Sequence, residues 1–267
     1  MNAALFGHLW RSQRTKLAIV CVAIAAWSVF LPVIYSSFGP QIKQVVDSGI
    51  FPKQLMSFGG GDPFSLGGAI ALGYIHPIAI ILVAIFAVGF STTAVAGERQ
   101  RGTLEVVLAR PVSRRSLYVT LLVALVLFLG IILAASILGT IVGSALVGVL
   151  DELPTERLPI LWLNGLLLWG AIGSIGLAAS VSFDRLSPAI GATLAILIVS
   201  YFLEILGSLW SDAQGLQRYS VFHYLKAKDI LAGTADAAGF VLLALVAVVA
   251  IGWALVVFPR RDLAAPS

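Results

Sequence analysis

Six stretches of this chain are each long and apolar enough to cross a lipid bilayer, and no other feature restricts its fold as strongly. A spanning helix needs about 20 predominantly apolar residues. Leu17 to Tyr35, Ala69 to Ala96, Leu117 to Leu150, Ile160 to Val181, Ala189 to Trp210 and Ala237 to Phe258 all qualify. Inside hydrocarbon the backbone must satisfy its own hydrogen bonds, so each stretch is expected as a helix. The intervals leave no polar run long enough for a soluble domain. Only 11% of the 267 residues are charged, against about 25% in soluble domains. The expected fold class is all-α: one polytopic membrane domain, residues 1–267, with six transmembrane helices.

Local signals set the boundaries. His76-Pro77 marks either a kink in the second stretch or its true start. Between the fourth and fifth, Asp184 and Arg185 interrupt the apolar pattern, and Pro188 suits a helix start. Six spans put both termini on one side, with the loops after spans two and four. That side carries eleven of the 17 lysines and arginines: Arg11, Arg14 and Lys16, then Arg99, Arg101, Arg110, Arg114, Arg115 and Arg185, and finally Arg260 and Arg261. Cytoplasmic loops concentrate these residues, so both termini are expected to be cytoplasmic.

Ahead of the first span, Leu5, Phe6, Leu9 and Trp10 fall at helical spacing opposite His8 and Arg11. This predicts a short amphipathic helix at the inner interface, the alternative being a disordered basic tail. The small-x-small triplet Ala23-Ile24-Ala25 falls in the middle of the apolar run, so the run reads as a retained helix and not a signal peptide. On the outer side, loops 36–68 and 211–236 mix apolar and polar residues, which predicts short re-entrant or interfacial helices.

The sequence contains no G-x-x-x-x-G-K-[ST] phosphate loop, no H-E-x-x-H and no G-x-S-x-G. The single cysteine, Cys21, excludes an intrachain disulfide. His8, His76 and His223 fall at different places along the expected topology, which argues against a shared metal site. The chain is therefore not expected to be an enzyme, to hydrolyse ATP on its own, or to hold a cofactor. Its net charge of +4 follows membrane topology and does not point to nucleic acid.

The informative segment is the cytoplasmic loop 97–116. Leu104, Val107 and Leu108 form an apolar stripe, and Glu98, Arg101 and Glu105 supply charges at helical spacing. Pro111 stops this helix and Ser113 can cap the next. So short a helix is marginal in water and gains stability by lying in a groove on another protein. The positive-inside rule explains the arginines here but not the stripe or the glutamates.

This segment resembles the cytoplasmic loop of bacterial ABC-2-type permeases, E-x-x-x-G-T-L-E-x-L-L-x-x-P-[VI]-S-R. Glu98, Gly102, Thr103, Leu104, Glu105, Val107, Leu108, Pro111, Val112, Ser113 and Arg114 carry the match. Tyr219 to Tyr224, followed by Asp229 to Gly233, is similar to the stretch before the last helix of those permeases. The resemblance implies the transmembrane half of an ATP-binding cassette exporter in a bacterial or archaeal cell membrane. It also implies a separate ABC ATPase subunit that binds ATP and Mg, and a second permease copy or close relative as dimer partner. Loop 97–116 would be the coupling helix, with Glu98, Arg101, Gly102, Thr103, Leu104, Glu105, Leu108, Pro111 and Arg114 at the contact. Asp184 and Arg185 would form a second, smaller contact.

Within the spans, Glu204 lies six residues before Trp210, about 9 Å below the outer helix end. It reads either as a polar group facing a substrate path or as an interfacial group capping an outer re-entrant helix. Asn164, near the outer end of span four, is a weaker path candidate. Ala135, Gly139 and Gly143 repeat at four-residue spacing and are expected to serve packing within the subunit. A stand-alone secondary transporter or channel is the alternative function, although it usually places more ionisable groups near the midplane. A membrane-embedded enzyme needs clustered acids or a nucleophile–base set, and neither is evident.

Overall fold

The computed structural model describes residues 2–47, 65–109 and 112–261, apart from the side chains of 39–47, 107 and 108. Among the described residues, six helices are long and apolar enough to cross a membrane. The first, α1 (Ala3–Asp47), runs without a break from the amphipathic stretch through the first span. The expected interfacial helix is thus the opening turns of a longer one, since no glycine–proline signal between Leu5 and Leu17 stops it. Leu5, Phe6 and Leu9 pack against the bundle core.

The second span is divided where His76-Pro77 predicted a kink or a start. α2 (Leu66–Ile75) ends at His76, whose backbone is extended, and α3 (Pro77–Thr92) begins at the proline. Proline disfavours helical geometry in the residue before it but fits the first helical position. His76 Nδ1 accepts from Ile78 N–H at 3.3 Å and completes the cap. After α3 come a π turn (Thr93–Gly97), α4 (Glu98–Gln100) and α5 (Thr103–Leu108). The third span is α6 (Arg114–Leu146), capped by Ser113 Oγ accepting from Ser116 N–H, as the sequence suggested. α7 (Leu158–Ser182) and α8 (Leu186–Leu209) are the fourth and fifth spans. Pro188 sits in the first turn of α8, where its missing N–H costs nothing.

Loop 211–236 folds into the expected short pieces: two 3₁₀ segments (Ser211–Tyr219 and Val221–Tyr224) and α9 (Ala227–Ala232). α10 (Ala238–Arg260) is the last span. Of loop 36–68, residues 48–64, including the glycine breaker at 59–61, lie outside the described residues.

The core runs along α1, α3, α6 and α7 around Phe86, Phe128, Leu125 and Leu129, with a second cluster at the outer end around Ile70, Leu161 and Ile230. α10 carries Val241, Leu245, Val248 and Trp253 largely exposed, the face a spanning helix turns to lipid. Asn2 N–H bonds Thr120 Oγ1 at 2.9 Å and Arg114 bonds the carbonyls that end α10. The described residues at the two chain ends therefore meet at one end of the bundle, the arginine-rich end.

Candidate functional site

At the arginine-rich end, loop 97–109 is fastened to the α7–α8 turn. Asp184 accepts from both Arg99 and Arg261, and Gln100 Oε1 accepts from Leu186 N–H at 3.0 Å, capping α8. Arg261 also donates to Val181 O at 2.8 Å. Two loops that are distant in sequence and the end of the last span thus form one platform. Arg185 is exposed beside it, with an extended backbone at the start of α8.

Within the loop, Glu98 accepts from Arg101 at 3.1 Å and from Thr103 Oγ1 at 2.5 Å, so three of the expected contact residues hold one another. Gly102 joins α4 to α5 with φ +71°, a left-handed angle that glycine adopts without penalty. Space around it is open. The turn therefore needs glycine for its backbone angle and not for want of space.

Of the predicted stripe, Leu104 does not face outward, and the side chain of Val107 lies outside the described residues. Leu104 is 3% exposed and packs into the core; Thr103, Glu105, Val106 and Ala109 face outward. The cause is tertiary: Leu104 joins a core cluster to which α1 contributes Leu9 and α6 contributes Leu117 and Leu121. The side chain of Leu108 and all of Pro111 lie outside the described residues. Arg114 is turned away from the platform surface. Its Nη1 donates to Phe258 O at 3.2 Å and Arg261 O at 2.6 Å, a cation satisfying the last carbonyls of α10.

At the end of the bundle opposite the arginine-rich one, Glu204 borders a cleft of about 260 Å³ with Gln214, Gln217, His223, Lys226 and Lys228. Gln217 Nε2 donates to Glu204 Oε1 and to Glu204 O, both at 3.1 Å, tying the first 3₁₀ segment to α8. Glu204 Oε2 accepts no hydrogen bond and lies 3.6 Å from His223 Nδ1, too far for a strong one. One carboxylate oxygen thus holds the outer segment through the Gln217 side chain, and the residue lines the cleft. Burial first, and the charge on Lys226 second, push the His223 imidazole below its ordinary range. Asn164 is not on this cleft. It is fully buried, donating to Tyr224 O and accepting from Lys226 N–H, both at 3.0 Å. With a bond at each end of its amide, it pins the outer segment.

Sequence reasoning placed Arg99, Gln100 and Arg261 at this end but did not single them out as the residues that bond it together, and it passed over Ser180. Arg99 and Arg261 were legible only as positive charge, because Asp184 comes 85 residues after the first and 77 before the second.

The family described as "ABC-2 family transporter protein" matches residues 6–263 and reaches into all six spans. No curated protein and no solved structure matches the chain.

Proposed function

The chain belongs to the ABC-2 transporter family, and from that premise we propose that it is the permease of an exporter driven by a separate ATPase that docks on the arginine-rich end. A membrane transport component of this kind moves a substrate and leaves hydrolysis to an ATP-binding subunit. The observation that carries the docking reading is the platform of α5 and the α7–α8 turn. Glu105 and Val106 face outward on α5, and Asp184 and Arg185 are exposed on the turn, over a base that Asp184 locks to Arg99 and Arg261. An apolar side chain ringed by charges is the composition of a contact in which burial gives affinity and charge fixes register. A rigid base lets force applied at α5 reach the bundle instead of being lost in a loose loop. A second copy of the chain completes the transporter, and both termini lie in the cytoplasm.

The test is co-purification of the ATPase with variants of the exposed face, together with vanadate-sensitive hydrolysis. Glu105→Arg and Val106→Asp should leave the permease folded and cut ATPase retention by about tenfold or more. Asp212→Arg, on the outer side, should not. Full retention and full transport in both docking variants would sink the reading. Leu104→Asp is not an equivalent probe. It buries a carboxylate in the core, at a cost of several kcal/mol, and should lower the melting temperature of the permease alone.

A further inference from the structure

The second span does not run into the docking loop as a regular α-helix. Its last turn, Thr93–Gly97, is a π turn, which holds one residue more than an α turn. Just before it, Ser91 and Thr92 donate to Val88 O at 3.2 and 2.7 Å, and Thr93 donates to Gly89 O at 2.6 Å. Hydroxyls bonded back to helix carbonyls loosen and bend a helix at that point. What holds the widened turn lies on another helix. Ser180 of α7 is fully buried, and its Oγ accepts from Val95 N–H at 3.0 Å and Ala96 N–H at 2.9 Å while donating to Thr92 O at 2.7 Å. One side chain serves three backbone groups. Gly176, one turn earlier on the same face of α7, allows the close approach, since a Cβ there would overlap Ser91 Oγ.

We propose that Ser180 is a positioning residue: by bridging the π turn it sets the rotational register of the docking loop and makes that loop move with α7. The proposal rests on the docking reading and deepens it. Were the turn to revert to α geometry, every residue after it would rotate by about 100° about the axis and shift by about 1.5 Å. Arg99 would then leave Asp184, and Gln100 would leave the start of α8. With the clamp in place, displacement of α5 is carried into α7 directly as well as along α3.

The experiment uses the full-length permease in lipid nanodiscs and compares Ser180→Thr with Ser180→Val, which share a shape and differ in the hydroxyl. Ser180→Ala controls for the added bulk. Amide exchange is followed at Val95 and Ala96. A spin-label distance is measured between Val106 and Val22, both exposed, in a Cys21→Ala background. The valine and alanine variants should speed exchange at both amides by about tenfold or more and shift or broaden the distance. The threonine variant should keep both near wild type. Wild-type exchange and distance in both the valine and alanine variants would overturn the proposal. Should those two readouts change as expected while no ATPase co-purifies even with wild type, the clamp stands and the docking reading falls.

Discussion

At Gly102 the backbone angle of +71° sets the demand, because nothing lies within 4 Å of where a Cβ would sit. Gly102→Ala should therefore cost about 1–2 kcal/mol through the left-handed angle alone. The readout is faster amide exchange across 99–105, with exchange elsewhere unchanged. His223 makes a different argument. Its imidazole, between Glu204 and Lys226, is harder to charge in the fold than in the unfolded chain. Below its ordinary value of 6.5 the unfolded chain takes up the proton first, so this residue withdraws stability as pH falls through that value. The melting temperature of wild type should drop more between about pH 7.5 and about pH 5.5 than that of His223→Gln. Equal pH dependence in the two proteins would show that the imidazole charges freely.

Between helices, small residues decide how close two backbones come. Gly139 and Gly143 on α6 face the backbone of α1 at Ala25 and Val29, and a Cβ at Gly143 would lie 2.5 Å from Val29 O. The hydroxyls of Ser28 and Ser136 meet at 2.8 Å in the same seam. The four-residue repeat does serve packing within the subunit, as its sequence spacing suggested. Gly143→Leu forces these helices apart and should cost about 3 kcal/mol or more. Gly252→Leu, where α10 has open space, should cost little. Thermal melts of the two variants in one detergent make the comparison. A small loss at Gly143 would mean that α1 can slide on α6 without penalty.

For the molecule as a whole, the positive-inside rule predicts that the arginine-rich end faces the cytoplasm. A cysteine at Val106 should resist a membrane-impermeant thiol reagent in intact cells, while one at Asp212 should react; both positions are exposed. Cys21 is replaced in both proteins. Labelling of Val106 from outside would reverse the orientation and place the docking platform where no ATPase can reach it.

The number of spans, the limits of the last four to within a few residues and the divided second helix were legible in the sequence. Apolar length, proline and the absence of charge act locally and need no partner. Loop 97–109 was legible as a motif for the same reason: Glu98, Arg101 and Thr103 hold one another within six residues. Which face of α5 looks outward was not legible. Leu104 points inward because it joins a core cluster to which α1 and α6 contribute leucines. Asn164 reads as a polar group in a membrane until Tyr224 and Lys226 are seen to occupy it. Ser180 gives no local signal beyond a serine in an apolar run, and its three bonds reach 84 to 88 residues back along the chain. A buried polar side chain takes its meaning from the backbone groups that lack a partner nearby. Chain packing alone brings those groups within reach.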